Sequence, residues 1–184
     1  RKLPITTLLR ALPAEDPTTG FQLDTTSNEK ILELFDGSVY IANTLEKDPS
    51  PREEEALIEV FKKQRPGEPP TLDNARNLLR ALFFDPKRYD LTKVGRYKLN
   101  QRLNVGVPED TRVLTTEDIL ALVKRLVDMP TKLGVPEDSR DYAADAAQLS
   151  RDPVRGELDE YEDFGNRRLR TTGELIQEAF RVGL

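Results

Sequence analysis

Apolar residues recur every three to four positions along most of this chain, which is the spacing of one face of an α-helix. The repeat therefore predicts a mainly α fold, with room for a few short strands. It is strongest in residues 115–129, where the predicted apolar face consists of Ile119, Leu122, Val123, Leu126 and Val127. The predicted helices cover residues 4–12, 26–35, 51–64, 71–83, 92–103, 115–129, 140–149 and 171–184.

Threonine side chains mark three of the predicted helix starts. Thr26 and Thr171 are each followed three residues later by a glutamate, Glu29 and Glu174, which is the pattern of a capping box. Thr71 stands directly before another predicted helix and is expected to cap it.

Prolines and glycines interrupt the helices at 13–24 and at 65–70, which are predicted to be loops. Residues 38–45 leave two alternatives open, a strand or a further turn of helix. Residues 130–155 are polar and weakly patterned apart from the predicted helix 140–149, and we interpret them as a surface insertion or a linker.

The composition excludes several classes of function. The 184 residues contain no cysteine and no histidine, so disulfides, thiolate or imidazole metal sites and Ser-His or Cys-His catalysis are excluded. No apolar run reaches the roughly 18 residues of a transmembrane helix, and no GxGxxG, P-loop or GxSxG motif is present. The net charge of −5 argues against free-standing, high-affinity binding of nucleic acid, so any contact with DNA has to be local.

Three segments could carry a function, and composition leaves each of them open. Residues 65–70 are a partner-binding proline segment or a connector between helices. Residues 88–98 mix basic and aromatic side chains, which serve nucleic-acid binding or pack tyrosine rings under arginine stems. Residues 157–170 change from an acidic to a basic run, which forms either a phosphate or base contact or a structural ion-pair network.

These segments also carry a resemblance to the β subunit of bacterial RNA polymerase. Similar segments run through that family in the same order, and together they cover rather more than half of the chain. The segments that carry the resemblance are RKLPITTLLRAL, RPGEPPTLDNARNLLRALFFDPKRYDLTKVGRYKLNQRL, RVLTTEDILALVKRLVD and FGNRRLRTTGELIQEAFRVGL.

The resemblance implies that the chain is a fragment of a multidomain subunit that continues in both directions. Residues 1–156 are expected to form part of the β lobe, with variable stretches at 13–24 and 131–155. Residues 157–184 are expected to be a connecting segment and a helix that lead to the protrusion. The catalytic Mg²⁺ of this enzyme is expected on the β′ subunit, so the resemblance implies no catalytic residue, metal or cofactor in this chain.

The resemblance also implies a contact with a guanine of the non-template strand. In the family an acidic residue and the first arginine of the pair help to form that pocket, and Glu162 and Arg167 occupy those positions here. The chain departs from the family pattern twice, because Glu162 stands where the shorter Asp is expected and Asp163 replaces a histidine. We predict nucleic-acid contacts at Glu162, Arg167, Arg168 and Arg170.

Three functions follow from these observations as alternatives. The first is a structural part of a DNA-directed RNA polymerase, a nucleotidyltransferase, that shapes the downstream DNA channel and contacts the non-template strand. Its partners are then β′, α, ω, sigma and DNA, without a membrane, in the cytoplasm and associated with the nucleoid. The second is a docking module for sigma or transcription factors, which an exposed apolar patch beside residues 65–70 would favour. The third is an unrelated acidic helical interaction protein.

Overall fold

The computed structural model describes residues 2–132, 164, 167 and 169–183, and the helices within these ranges follow the predicted pattern closely. Most predicted ends agree with the observed ones to within one or two residues, as is usual for helix termini. The predicted helix 140–149 lies outside the described residues. The helices are α1 (Ile5–Ala11), α2 (Asn28–Leu34), α3 (Val39–Leu45), α4 (Glu53–Gln64), α5 (Leu72–Phe83), α6 (Thr92–Leu103), α7 (Thr116–Lys132) and α8 (Thr172–Gly183).

The mainly α fold class is confirmed, and the ambiguous residues 38–45 are helical as α3. The described residues contain no strand. Their only strand-like pairing is an isolated antiparallel bridge between Glu15 and Gln22, within the predicted loop 13–24.

Side-chain caps explain why two of the helices begin where they do. Thr71 caps α5, as predicted, because its side-chain oxygen accepts the backbone N–H of Asn74 at 3.2 Å. The predicted cap at Thr26 is wrong, since its hydroxyl donates to Asp24 at 2.8 Å. Ser27 caps α2 instead and accepts the backbone N–H of Lys30 at 3.3 Å.

Six of the helices of residues 1–132, all except α6, contribute side chains to one apolar core. Helix α1 packs against α3 and α4, α4 packs against α5, and α6 packs against α7. Burial of these apolar side chains is the main favourable term for a helical unit of this size. The largest buried apolar side chains of the core are those of Leu9, Leu12, Leu23, Ile31, Phe35, Ile41, Leu45, Leu57, Phe61, Leu79, Phe84, Ile119 and Leu120.

Helix α7 is rotated relative to the prediction. Leu122 and Leu126, which were predicted to lie on the apolar face, are 44% and 55% exposed, whereas Leu120 is buried. The Asp118 side chain, one turn before Leu122, is only 1% exposed. The face shared by Asp118 and Leu122 is therefore buried at the start of the helix and exposed further along it.

The inward carboxylate of Asp118 meets the fully buried guanidinium of Arg96. Arg96 Nη1 donates to both oxygens of Asp118, at 2.8 and 2.7 Å. Its Nε donates to the carbonyl of Thr111 at 2.9 Å, and its Nη2 donates to the carbonyl of Val113. A buried charge is tolerated only when it is paired and hydrogen-bonded in this way.

Asp118 also closes the N-terminus of α7. One of its oxygens accepts the backbone N–H of Thr115 at 2.9 Å, and the Thr115 hydroxyl accepts the backbone N–H of Asp118 at 3.1 Å. This reciprocal arrangement is a capping box with aspartate in place of glutamate.

A second buried carboxylate, that of Asp16, ties the loop 13–24 to the same helix start. It accepts the backbone N–H of Thr116 at 2.6 Å and those of Thr18 and Thr19 at 2.7 and 2.9 Å. Burial raises the pKa of Asp16, but the N–H groups that donate to the carboxylate outweigh burial and hold the pKa below its ordinary value. The loop is therefore a tethered part of the fold.

The chain divides into two compact units, residues 1–132 and 133–184. All the interactions above lie in the first unit, and α8 lies in the second. The predicted lobe and connecting segment, 1–156 and 157–184, meet outside the described residues, so that division stays a prediction.

We expect Arg96→Met to lower the free energy of unfolding by about 3–5 kcal/mol, because it leaves the Asp118 carboxylate buried without its partner. Urea-induced unfolding of the chain measures this loss. Arg112→Met is the control, since Arg112 pairs with Asp90 at the surface with 58% of its side chain exposed. A loss at Arg96 no larger than the loss at Arg112 would contradict a structural role for the buried pair.

We expect Asp16→Asn to cost about 1–3 kcal/mol near neutral pH, because an amide cannot accept all three N–H groups. The pKa of Asp16 is lower in the folded chain than its ordinary value of 3.8. The ionised Asp16 carboxylate therefore adds to the free energy of unfolding at pH values above 3.8, and this addition is lost as the pH falls through the pKa of the folded chain. The stability difference between the two chains should therefore shrink in acid. The control is Asp36→Asn at an exposed helix end, and a difference that is constant down to acid pH would refute the assignment.

Candidate nucleic-acid interface

Two of the four residues predicted to contact nucleic acid lie among the described residues. The side chains of Arg167 and Arg170 are both exposed. Glu162 and Arg168 lie outside the described residues, as does the acidic run 157–163. Whether Glu162 and Arg167 form one pocket therefore stays a prediction.

Arg170 is held by an ion pair. Its Nη1 donates to Glu178 Oε2 on α8 at 2.9 Å, and the two side chains are 57% and 60% exposed. An exposed pair of this kind contributes little to stability, so Arg170 can exchange its carboxylate partner for a phosphate at small cost. The partner lies on α8, whereas the acidic run 157–163 lies outside the described residues, so both alternatives for 157–170, a ligand contact and an ion-pair network with the preceding carboxylates, stay predictions.

Helix α8 follows the basic run and has a backbone bond at its start. The Leu175 N–H donates to the Thr171 carbonyl at 3.2 Å, whereas a cap by the Thr171 hydroxyl stays a prediction. No described side chain of α8 is buried. Leu175, Ile176 and Phe180 are 51%, 56% and 67% exposed, so the described residues leave the apolar face of this helix open.

Two residues of the segment 88–98, Arg96 and Asp90, take part in structural ion pairs. Arg96 is buried in the network with Asp118, whereas Tyr97 is 54% exposed. Asp90 binds Arg112 through Arg112 Nε at 2.8 Å and also through Nη2. Hydrogen bonds from the Arg112 side chain and from the Thr92 N–H hold the pKa of Asp90 below its ordinary value.

The break at 65–70 is a connector between α4 and α5, and Arg65 pairs there with Glu68 at 3.2 Å. A groove of about 390 Å³ lies beside it. Its rim is polar, and Phe61 in its lining is only 2% exposed. The groove therefore exposes no phenylalanine ring beside the connector, and the docking module stays an alternative.

Sequence reasoning missed the carboxylates that organise the first unit. Thr115 and Asp118 stand three residues apart at a predicted helix start, which was a usable signal for a capping box. Asp16 gave no signal, because its partner Thr116 lies 100 residues away. Within the described ranges, no group of three potential metal-binding side chains occurs, and no helix is long and apolar enough to cross a membrane.

Comparison with known proteins gives one consistent family. Residues 1–145 match the model of the family described as RNA polymerase Rpb2, domain 2. The whole chain is 50% identical to a protein of Rubrobacter xylanophilus, 43% identical to one of Syntrophomonas wolfei and 41% identical to one of Gloeobacter violaceus. Each of these relatives is named DNA-directed RNA polymerase subunit beta, and the chain spans about 14% of their length.

Proposed function

Because the chain belongs to the family of bacterial RNA polymerase β subunits, we propose that it forms part of the β lobe and shapes the downstream DNA channel. Identity over the full length of the chain is the observation that carries this proposal. Membership in the family contradicts the alternative of an unrelated acidic helical protein.

The proposed role of the chain within the whole enzyme is structural. The complete protein would act in DNA-templated RNA synthesis, with its Mg²⁺ held by the β′ subunit. Its expected partners are the β′, α and ω subunits, a sigma factor and DNA, and its expected place is the cytoplasm, at the nucleoid. A rigid helical unit around a buried ion pair suits such a role, because a channel wall has to keep its shape as DNA moves past it.

The more specific proposal concerns the non-template strand. Arg167 is exposed and carries five N–H donors in a planar fork, which can bind a guanine edge in a bidentate way. Glu162 would accept hydrogen bonds from the N–H groups of the same base. Arg168 and Arg170 would bind the phosphates on either side, and the exposed pair with Glu178 leaves Arg170 able to exchange partners.

We expect Arg167→Ala in an assembled polymerase to shorten the lifetime of promoter complexes roughly tenfold when the non-template strand carries the guanine, since one bidentate contact is lost. Dissociation rates on templates with and without that guanine measure the effect. Arg181→Ala, at another exposed arginine of the second unit, is the matched control. Equal lifetimes for Arg167→Ala and the unchanged enzyme on both templates would remove the proposed contact.

We expect Glu162→Asp to increase the guanine dependence of these lifetimes, because the shorter side chain matches the family pattern and brings the carboxylate back by about one C–C bond. The measured quantity is the ratio of lifetimes on templates with and without the guanine. Glu160→Asp makes the same change two residues away and should leave the ratio unaltered. A ratio that falls or stays constant in Glu162→Asp would argue against Glu162 as part of the pocket.

A further inference from the structure

Three exposed cations that have no partner among the described residues lie close together at the end of α5. Arg80 lies in the last turn of the helix, and Lys87 and Arg88 lie in the turn that follows. Among the described residues, none of the three side chains has a hydrogen-bond or ion-pair partner. We call Arg80, Lys87 and Arg88, together with the concave surface between them, the basic strip.

Hydrogen bonds hold the backbone under the basic strip in a defined turn. The Asp85 carbonyl accepts the N–H groups of Arg88 and Tyr89 at 3.0 and 2.9 Å, and an Asp85 carboxylate oxygen accepts the N–H of Lys87 at 2.9 Å. The neighbouring Phe84 is 8% exposed and packs edge to face against Phe83, with ring centroids 6.2 Å apart. The cations therefore project from a fixed turn, so binding a ligand does not require the backbone to be ordered first.

The surface between the cations is concave and continuous. The groove of about 390 Å³ reaches from Arg65 to Arg88, and a second depression of about 350 Å³ is bounded by Arg80 and Lys87. Both are lined by Asn77, Ala81 and Asp85, so they join side by side along α5. Amide groups such as that of Asn77 can donate hydrogen bonds to an anion held between the cations.

The charge of this surface is opposite to that of the chain. Its lining contains four cations and two carboxylates, although the chain as a whole has a net charge of −5. Glu68 is paired with Arg65, and an oxygen of Asp85 is used by the turn itself. Positive charge at Arg80, Lys87 and Arg88 is therefore left for a ligand.

The lining indicates which kind of polyanion fits. Protein partners are usually anchored by aromatic or aliphatic side chains at the centre of the contact, but the two phenylalanines of the lining, Phe61 and Phe84, are 2% and 8% exposed. Phosphate groups require only arginine, lysine and amide donors. We propose that the basic strip binds the phosphodiester backbone of DNA, at a surface separate in sequence from Arg167. This proposal rests on the proposed function, which brings DNA to the lobe.

The test compares polymerases assembled with altered β subunits. One carries Arg80→Ala, Lys87→Ala and Arg88→Ala together. The control carries Lys30→Ala, Lys62→Ala and Arg76→Ala, which remove the same charge from exposed cations that are already ion-paired. Equilibrium binding of promoter DNA with a long downstream duplex is measured over a series of salt concentrations.

We expect the strip variant, the polymerase with all three substitutions in the basic strip, to bind promoter DNA roughly tenfold or more weakly at fixed salt. The magnitude of the slope of log affinity against log salt should decrease by up to about 2.7, or about 0.9 for each lost phosphate contact. The control should keep the slope of the unchanged enzyme. Equal slopes for the strip variant and the control would overturn the proposal, and so would a loss of sigma binding with DNA binding intact. If the unchanged polymerase itself bound DNA without salt dependence, the proposed function would fail as well, so the two failures are distinguishable.

Discussion

The burial of the Arg96 guanidinium is the constraint on which the second half of the helical unit depends. A charged group away from water is stable only when its donors are satisfied, and here that requires the Asp118 carboxylate and the carbonyls of Thr111 and Val113 at the same time. These acceptors come from the segment before α7 and from its first turn. Once Arg96 is buried, α6, residues 111–115 and α7 are therefore fixed in one arrangement.

The same helix start connects the two ends of the unit. Thr116 follows directly on Thr115, whose hydroxyl caps α7, and it donates its backbone N–H to Asp16 near the N-terminus. The loop 13–24 is thus held by a hydrogen bond that spans 100 residues, and α7 adds its apolar side chains to the core of the N-terminal helices. Polar contacts of this kind add little net energy when made, but leaving them unmade is costly, so they select one packing among many that bury similar apolar area.

Local sequence patterns predicted the helices because helix formation depends on spacing and caps that lie within a few residues. They failed where a partner was distant. The Thr26 hydroxyl donates to Asp24, so that Ser27 caps α2 instead, and the buried Asp118 pairs with Arg96, which lies 22 residues earlier in the sequence. The candidate site was reached mainly through family resemblance, because exposed arginines such as Arg167 have no periodicity or packing requirement that composition could reveal.

The net charge of this chain does not indicate which ions its surface can bind, because its carboxylates and its cations have different roles in the fold. Many carboxylates interact with the backbone of the chain itself. Asp16, Asp85 and Asp118 accept hydrogen bonds from backbone N–H groups. The glutamates at the start of α4 lie at the positive end of the helix dipole. Backbone N–H groups outside regular hydrogen bonding need acceptors, which carboxylate, amide and hydroxyl side chains supply. Lysine and arginine side chains can only donate, to acceptors such as carbonyls and carboxylates. A chain that is acidic in total can therefore present positive charge that has no partner among the described residues, as at Arg80, Lys87 and Arg88. Such a surface can bind a polyanion locally while the overall charge limits non-specific binding.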